Sequence, residues 1–557
     1  MSFPSNKKPV TSQKRRGGYY TPLALAQYLA EWGMRGGTQR VLEPSCGDGN
    51  FVAAILRSAE QRELAGPLTI VAVEIEEEEL ERAKGRVAPF TEGGLDFDVT
   101  WIRGDFFRVY RELMLTSRFD LVVGNPPFIR FQYFDDDSRA AAFRSLRSAG
   151  YKPTKLANAW AAFVQLSIEL LDEGGRLAMV VPAELLQVNY ARQLRDRLAH
   201  QFARVVIVGF KELVFPEIQQ EVVLLLAEGR TWRGDQASDI YTVEFRDGEE
   251  LLRARELESC ISHGAAKHSR RGMKWTSLFL QESYFAALDE AERAAGLCRL
   301  GDLAEVDIGI VTGRNAFFVL TEAQRDTLGV SHLTAPIIGR TSALRSIVFD
   351  GEGFRHYSAS HPCFLLDLTG VEFEAFPETL KAYIRRGEDA NVHRGYKCRI
   401  RRRWFDVPSV YVPEAFLFRQ IHDYPLLVVN EGKVTSTDTI HRVRVKPGVS
   451  SRRLAALSFN SLTLAWSEVC GRSYGGGVLE LEPTEAEELP VPYSDAVEID
   501  VEKVNALLSR GQAIEALDYV DEVALKSYIG LDTFIVEKVR SAWQQLRDRR
   551  SNRRRGT

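Results

Sequence analysis

The feature that most constrains the fold of this 557-residue chain is a regular alternation of strands and helices between residues 40 and 228. Short runs rich in β-branched residues are separated by helical stretches, an order typical of an α/β, doubly wound sheet covered by helices on both faces. We predict a seven-stranded, mostly parallel sheet whose seventh strand returns antiparallel beside the sixth, because no helical pattern separates the two. The predicted strands are Arg40–Ser45, Leu68–Ile75, Val99–Asp105, Phe119–Asn125, Arg176–Pro182, Arg204–Phe210 and Glu221–Glu228.

Composition is that of an ordinary globular protein and does not identify a partner. The formal net charge is -4, so binding to a polyanion must come from local basic patches. The six cysteines form no CxxC pair, which favours a reducing, cytoplasmic setting. No apolar run is long enough to span a bilayer, and residues 1–18 lack hydrophobic periodicity, so we expect a flexible basic arm and no membrane partner.

The first strand leads into VLEPSCGDGNF (residues 41–51), in which Glu43 precedes a turn of small residues. Gly47 and Gly49 allow the backbone to approach a ligand closely, and the helix that follows offers free amides. Many strand-to-helix turns contain two glycines, so this segment by itself fits either a cofactor site or an ordinary turn.

Acidic residues also end the second and third strands. Glu74 is placed to accept hydrogen bonds from ribose hydroxyls, with Ile75 packing on a base; the alternative is a surface glutamate at a helix start. Asp105 is placed to accept a hydrogen bond from an exocyclic amine, with Phe106 covering the ring; the alternative is a helix N-cap.

The fourth strand ends in the most informative segment, Asn125-Pro126-Pro127-Phe128. Two prolines cannot continue a central strand, so they fix a rigid turn that presents the Asn125 side-chain carbonyl and the Pro126 main-chain carbonyl together. Two fixed acceptors suit an NH2 group that becomes tetrahedral as it attacks a methyl carbon. Phe128 then offers a flat face on which a ring can stack.

Asn-Pro-Pro-Phe, with Glu-Pro-Ser-Cys-Gly-Asp-Gly upstream, resembles the S-adenosylmethionine-dependent adenine-N6 DNA methyltransferases of the TaqI-like class. The resemblance covers about residues 17–230 and includes, in the family's order, YYTP at 19–22, NAWAAF at 158–163 and VFP at 214–216. It implies the class I methyltransferase fold, S-adenosyl-L-methionine as cofactor and double-stranded DNA as partner. Phe128 stands where the family more often has tyrosine, and Ser45 and Cys46 replace a glycine-rich start.

The resemblance also implies a reaction and roles for single residues. A methyl group would move to the N6 amine of a flipped-out adenine, in a restriction–modification or related defence or epigenetic system with a separately encoded endonuclease. The alternatives are methylation of an RNA or protein amine or amide, and a non-catalytic DNA-binding subunit of a defence complex. The implied cofactor contacts are Thr21, Glu43, Ser45, Gly47, Glu74, Ile75, Asp105 and Phe106, and the implied catalytic residues are Asn125, Pro126, Pro127, Phe128 and Phe215.

From about Arg230 the alternation stops, and short strands with scattered helices replace it. We therefore predict a catalytic, cofactor-binding domain over residues 19–245 and, by a looser resemblance, an α+β target-recognition domain with C-terminal helices over residues 246–557. A basic-aromatic stretch between Tyr383 and Trp404 favours DNA contact over a solvated charge run. The predicted DNA-binding residues are Arg314, Arg399, Arg401, Arg402 and Arg403.

Two other patterns in this half favour structure over chemistry. Asp423 with Glu431-Gly432-Lys433 mimics the acidic set of metal-dependent nucleases, but Gly432 and Lys433 favour a hairpin turn. The nearby histidines lack metal-ligand spacing. We therefore expect no metal site and no fused nuclease.

Overall fold

The structure is a computed structural model, and it describes residues 21–35, 37–63, 66–155, 157–212, 214, 221–231, 237–254, 257–261, 265–474 and 477–552. The chain divides into two compact units. The N-terminal unit contains the described residues up to Phe279, and the C-terminal unit contains Leu280–Ser473 and Val478–Ser551. The N-terminal unit extends past the predicted boundary at residue 245 because Ile240 pairs with Lys267 and Thr242 Oγ1 donates to the Leu278 carbonyl.

The N-terminal unit is built on eight strands: β1 (Arg40–Glu43), β2 (Leu68–Glu74), β3 (Phe97–Arg103), β4 (Phe119–Gly124), β5 (Leu171–Pro182), β6 (Phe202–Phe210), β7 (Val222–Arg230) and β8 (Asp239–Phe245). They form one sheet in the order β3-β2-β1-β4-β5-β7-β6-β8. Neighbouring strands are parallel except that β7 is antiparallel to both β5 and β6.

All seven predicted strands are present, and the antiparallel pairing of the seventh with the sixth is confirmed. The count of seven is wrong by one, because β8 adds to the edge of the sheet parallel to β6. Most side chains of β8 are only half-buried. An edge strand needs fewer apolar residues than a central one, so DIYTVEF lacks the continuous apolar run that marks the other strands.

Helices cover both faces of this sheet. Val41 and Leu121 lie in one core with Leu29 and Ile55, whereas the alternate residue Leu42 is fully buried on the opposite face. The helix at Ala159–Leu170 is buried along its whole length and contacts β4 and β5, as its all-round apolar sequence predicts. The helices are α1 (Leu23–Gly33), α2 (Asn50–Gln61), α3 (Glu77–Val87), α4 (Phe106–Thr116), α5 (Asp136–Ser148), α6 (Ala159–Leu170), α7 (Arg192–Gln201), α8 (Gly248–Arg253) and α9 (Leu257–Ile261).

The C-terminal unit combines short strands with helices. Its strands are β9 (Cys298–Arg299), β10 (Ala304–Asp307), β11 (Val319–Leu320), β12 (Thr334–Ile338), β13 (Val348–Phe349), β14 (Phe364–Leu366), β15 (Ala415–Phe418), β16 (Gln420–Ile421), β17 (Leu427–Asn430), β18 (Thr435–Ser436), β19 (Ile440–Val445), β20 (Arg472–Tyr474), β21 (Val478–Glu480) and β22 (Pro490–Val491). They form sheets in the orders β10-β19-β15-β17-β13, β11-β14-β12-β18, β16-β21-β20 and β22-β9.

The helices of this unit are α10 (Glu282–Glu292), α11 (Leu300–Leu303), α12 (Asn315–Phe318), α13 (Glu322–Leu328), α14 (Gly351–Ser358), α15 (Glu378–Asp389), α16 (Tyr396–Arg399), α17 (Ser451–Leu457), α18 (Ser461–Cys470), α19 (Pro483–Ala486), α20 (Val501–Ser509), α21 (Ala513–Val520) and α22 (Thr533–Ser551), with a π-helix at Asp521–Tyr528. None of the helices in the described part of the chain has the length and apolarity that a bilayer crossing requires.

A buried ion pair joins α22 to α18. Both oxygens of Glu468 accept from the Arg550 guanidinium, at 2.9 and 2.7 Å, and each side chain is 3% exposed. Arg550 Nη2 also donates to the His422 carbonyl. Removing one partner of such a pair leaves an uncompensated charge away from water, so the pair makes the unit sensitive to single substitutions.

Arg550→Ala should therefore destabilise the C-terminal unit by about 3–5 kcal/mol, because it leaves Glu468 buried without its partner. Arg453→Ala is the matched control, since Arg453 is only partly buried, its partner Asp495 is exposed, and such a surface pair is worth about 0–1 kcal/mol. Hydrogen exchange in the peptide that covers α22 measures the difference. Equal protection in the two variants would contradict this interpretation.

Candidate active site

The four strand ends singled out in the sequence lie together at one edge of the N-terminal sheet. Strands β3, β2, β1 and β4 are consecutive neighbours and all parallel, so their carboxyl ends point the same way. Glu43 and Glu74 end β1 and β2, while Asp105 and Asn125 lie just beyond the ends of β3 and β4. Loops at this edge of an open α/β sheet are where such folds bind ligands.

The glycine turn after β1 is held against β2. The Cys46 N–H donates to the Val73 carbonyl at 2.9 Å, and the Gly47 N–H donates to Glu74 Oε2 at 2.9 Å. Gly47 and Gly49 have φ values of 50° and 85°, which favour glycine. The backbone of the turn is thus fixed directly in front of the first turn of α2.

Glu74 joins the two neighbouring turns. Its Oε1 accepts from the N–H groups of Ile75 and Glu76 at 2.8 and 2.9 Å, in addition to the Gly47 bond on Oε2. Burial raises the pKa of this carboxyl, while the three N–H donors act in the opposite direction. Ile75 is 59% exposed beside it. Glu74 is therefore a fixed acceptor at the strand end, and its predicted ribose contact stays a prediction.

Glu43 is fully buried, and one of its oxygens has no hydrogen bond. Oε1 accepts from the Ser45 N–H at 3.3 Å, whereas Oε2 has no partner among the described residues. Burial, reinforced by the carboxylates of Glu74 and Asp48, holds the pKa of Glu43 well above its usual range. A cationic ligand at this position would supply the missing donor.

Two contacts near Glu43 involve residues that the sequence pattern did not assign to the site. A Cβ on Gly124 of β4 would lie 2.4 Å from Glu43 Oε1, so only glycine leaves room for the carboxyl there. The signal was a single glycine at the end of a β-branched run. Asp48, between the two glycines, is held by Arg86 through Nη2 at 2.6 Å, which orders the turn.

The Thr21 hydroxyl is a second buried polar group near this edge. Its Oγ1 has no hydrogen-bond partner among the described residues, and Asn50 Nδ2 donates to its main-chain carbonyl at 3.1 Å. Asn50 begins α2, so this bond ties the segment before α1 to the glycine turn. By its chemistry, a hydroxyl such as that of Thr21 can donate to a carboxylate, and a carboxylate oxygen such as Glu43 Oε2 can accept from an ammonium group.

Asp105 forms the helix cap named as its alternative, and its predicted amine contact stays a prediction, whereas Phe106 differs from its predicted position. Asp105 Oδ1 caps α4 by accepting the Phe107 N–H at 2.9 Å, so the N-cap alternative is present. Its Oδ2 is buried, 3.9 Å from Arg108 Nε. Phe106 is 2% exposed and stacks on Phe163, with 5.0 Å between the ring centroids. Its ring therefore belongs to the core and is not open to cover a base.

The diproline corner is held at both ends. Ser45 Oγ donates to the Asn125 carbonyl at 3.4 Å, and beyond the corner the Ile129 carbonyl accepts the Ala159 N–H at 2.7 Å. Pro126 is buried, whereas Asn125 and Phe128 are partly exposed. Phe128 packs against the core of the N-terminal unit, as does Val214. The predicted stacking residue Phe215 lies outside the described residues.

The predicted DNA-binding arginines fall into two groups. Arg401 donates to the main-chain carbonyls of Val311 and Thr312, both at 2.8 Å. Arg403 donates to the carbonyls of Leu368 and Val371 and pairs with Asp406. These two side chains are therefore bonded within their own unit, and their predicted contact with DNA stays a prediction.

Arg399 and Arg402 are exposed, and their side chains form no ion pair or hydrogen bond with the described part of the chain. Arg314 is partly buried, and its Nη1 lies 3.4 Å from the Ala390 carbonyl. Arg399 and Arg402 therefore stay the predicted contacts that are open to an external anion.

The nuclease-like pattern forms a structural turn. Glu431 pairs with Arg452, and Gly432 N–H donates to the Phe349 carbonyl. The turn is not the predicted hairpin, because β17 and β18 on either side of it belong to different sheets. Within the described residues, no group of His, Cys, Asp or Glu is arranged to hold a metal ion.

Two family models and several relatives match parts of this chain. Residues 74–215 match the family described as "Eco57I restriction-modification methylase", and residues 272–525 match "Type II methyltransferase M.Eco57I, C-terminal domain". Type II methyltransferase M.AccI from Acinetobacter calcoaceticus is 22% identical over 489 residues, covering 85% of this chain and 84% of the relative. Type II methyltransferase M.TthHB8I from Thermus thermophilus is 30% identical over 257 residues, covering 45% and 52%.

A solved structure has the same fold. The ATP-dependent Type ISP restriction-modification enzyme LlaBIII bound to DNA is 10% identical, with a TM-score of 0.50, and the likeness covers 91% of this chain and 39% of that one. The family matches and relatives support a DNA methyltransferase related to restriction–modification enzymes. Methyltransferases of this kind imply S-adenosylmethionine as the methyl donor, and Glu43 Oε2, which has no hydrogen-bond partner among the described residues, suits the ammonium group that this cofactor carries.

Glu43→Gln tests the role of the buried carboxyl. Because the pKa of Glu43 is raised, the free protein keeps its proton as the pH rises above the usual glutamate range, whereas a bound ammonium favours the ionised form. Affinity for S-adenosylmethionine should rise with pH through the raised pKa. Glu43→Gln should weaken binding and flatten this dependence in calorimetric titrations.

Glu78→Gln, an exposed substitution on α3, is the matched control and should keep the wild-type pH profile. The folding stability of the free protein should change with pH in the direction opposite to the affinity. A raised folded-state pKa gives stability that is present at low pH and is lost as the pH rises through that pKa. A pH-independent affinity of the wild type would contradict the assignment.

Arg402→Ala and Arg401→Ala should have different effects. Arg402 is exposed, so its loss should leave thermal stability unchanged. It should reduce the salt slope of DNA binding, which is the slope of log K against log salt concentration, by about 1. Arg401→Ala should lower the thermal unfolding temperature, because the carbonyls of Val311 and Thr312 lose the Arg401 donor, and among the described residues the Thr312 carbonyl keeps only the 4.0 Å contact with Cys398 Sγ. An unchanged salt slope for Arg402→Ala would make that side chain part of a solvated surface only.

Proposed function

We propose that this chain is a site-specific DNA methyltransferase that transfers a methyl group from S-adenosylmethionine to the N6 amine of an adenine flipped out of the duplex. The observation that carries the proposal is the diproline corner, which is pinned at the carboxyl end of β4 beside the buried carboxylate of β1. Amine-accepting groups and cofactor-type groups therefore share one edge of the sheet.

The residues of the N-terminal unit have separate tasks in binding the cofactor. Glu43 and Thr21 would hold the methionine end, and Glu74 would accept from the ribose hydroxyls. Ile75 would pack on the base, and Asp105 would accept from its exocyclic amine, while Phe106 supports the turn from inside the core. When bound, the cofactor supplies a methyl group on a positively charged sulfur.

The corner acts on the target amine. The side-chain carbonyl of Asn125 and the main-chain carbonyl of Pro126 would accept the two N–H groups of the amine. As the nitrogen becomes tetrahedral, these acceptors bind it better than the planar ground state, which lowers the barrier. Transfer from a sulfonium needs no strong base, so positioning is the main contribution of the protein.

A base stacked in duplex DNA cannot reach this corner, so the target must be extrahelical. Flipping costs roughly a few kcal/mol, and stacking on Phe128 offsets part of that cost. Phe215 would form the second face of the stack. Phe128 is partly exposed and seated on the core, which suits a rigid stacking surface.

The C-terminal unit would select the target sequence. Arg399 and Arg402 are exposed cations that would bind phosphates. The relatives named Type II methyltransferases favour a role in restriction–modification or a related defence or epigenetic system, with a separately encoded endonuclease as partner.

The alternatives fit the same observations less well. A methyltransferase for a glutamine side chain would not need a second unit of this size to read a short protein loop. A non-catalytic DNA-binding subunit would have no reason to keep a fully buried carboxylate beside a turn whose two positive φ values require glycine. Methylation of RNA requires the same corner and is separated from DNA methylation only by experiment.

Asn125→Ala should lower methyl transfer by about 10²–10³-fold, because one of the two amine acceptors is lost. Binding of S-adenosylmethionine should stay at the wild-type level, which shows that the fold is intact. The assay uses cofactor with a labelled methyl group and separate DNA, RNA and protein substrates, followed by nucleoside analysis. Label on N6-methyladenine in DNA is expected, and label on protein or RNA alone would overturn the proposal.

A further inference from the structure

The segment Tyr396–Arg403 of the C-terminal unit contains both anchoring and solvent-facing side chains. Cys398 is 1% exposed, and Arg401 and Arg403 are bound to main-chain carbonyls. These anchors fix the backbone of the segment. The solvent-facing side chains, termed here the outer face, are Tyr396, Lys397, Arg399, Ile400 and Arg402.

Two large apolar side chains of the outer face project into solvent. Tyr396 is 65% exposed and Ile400 is 60% exposed. The Ile400 N–H donates to the Tyr396 carbonyl, so the two residues lie one helical turn apart on the same side. Single exposed apolar residues are common, but a rigid pair on a basic surface indicates a contact site.

The charge around this pair indicates the partner. No acidic residue occurs between positions 390 and 405, whereas Lys397, Arg399 and Arg402 are exposed there. A helix of only four residues, Tyr396–Arg399, is too short to lie along a membrane surface as an amphipathic anchor. Duplex DNA presents phosphates along the edges of a groove and apolar base edges, such as thymine methyl groups, within it.

We infer that Tyr396 and Ile400 enter a groove of double-stranded DNA and contact base edges, while Lys397, Arg399 and Arg402 bind the phosphates on either side. The inference rests on the proposed function and assigns sequence discrimination to two residues that carry no charge. Phosphate contacts determine affinity and salt dependence, whereas base contacts determine which sequence is bound. The two sets of side chains therefore have separable effects.

The test measures binding of the full-length chain to two duplexes of equal length. The cognate duplex carries the site found by sequencing the methylated bases in cells that express the wild type. Tyr396→Ala with Ile400→Ala should weaken cognate binding by about tenfold or more and change non-cognate binding by less than about twofold, with an unchanged salt slope. Tyr396→Phe should keep most of the discrimination.

Controls separate this inference from the function on which it rests. Leu115→Ala with Ile514→Ala removes two other exposed apolar side chains and should leave both affinities unchanged. Absence of DNA methylation by the wild type would overturn the proposed function. Wild-type DNA methylation combined with an unchanged cognate-to-non-cognate ratio in the Tyr396/Ile400 variant would overturn the inference alone, as would a loss confined to binding of RNA or of anionic vesicles.

Discussion

The candidate site depends on one constraint, the side-by-side pairing of four parallel strands in the order β3-β2-β1-β4. Glu43, Glu74, Asp105 and Asn125 are far apart in the sequence, and only this pairing brings their strand ends to one edge. The loops there are outside the hydrogen-bond ladder of the sheet, so they can carry polar groups without weakening the core. The hydrogen bond from the Gly47 N–H to Glu74 then joins two adjacent loops into one rigid surface.

Burial of Glu43 disfavours its charged form in the free protein. A carboxylate removed from water disfavours its charged form unless donors or a cation compensate it. The protein leaves one oxygen without a donor in the described structure and relies on glycine at position 124 for space. A ligand that brings an ammonium group would compensate the ionised carboxylate. The same burial that destabilises the free carboxylate thus favours a cationic cofactor.

The C-terminal unit uses arginine in two different ways. Arg401 and Arg403 donate to main-chain carbonyls, as helix and strand ladders do elsewhere, and they stabilise the segment that carries them. Arg399 and Arg402 are thereby presented to solvent on a rigid backbone. Rigidity matters for recognition, because a surface that is already ordered loses less conformational entropy when it binds.

The sequence alone determined seven strands, the antiparallel seventh strand, the glycine turn and the position of the diproline segment. These features depend on local properties: periodicity, the fixed φ of proline and the conformational freedom of glycine. It did not indicate β8, because an edge strand needs little apolar surface. The roles of the cofactor residues and of Asn125, Pro126, Pro127 and Phe128 stay predictions, since contacts with a ligand test them.

Tertiary structure alone decided which side chains face solvent. Phe106 lies in the core because Phe163, from a helix much later in the chain, packs against it. Arg401 is anchored by a hydrogen bond to the Val311 carbonyl. Because Val311 is 90 positions away in the sequence, no local pattern indicates this bond. The sequence contains four arginines within five positions, Arg399, Arg401, Arg402 and Arg403, and nothing local distinguishes them. Only contacts with distant segments show which of them are anchored and which are exposed. Burial is a property of the folded chain as a whole, so no local pattern contains it.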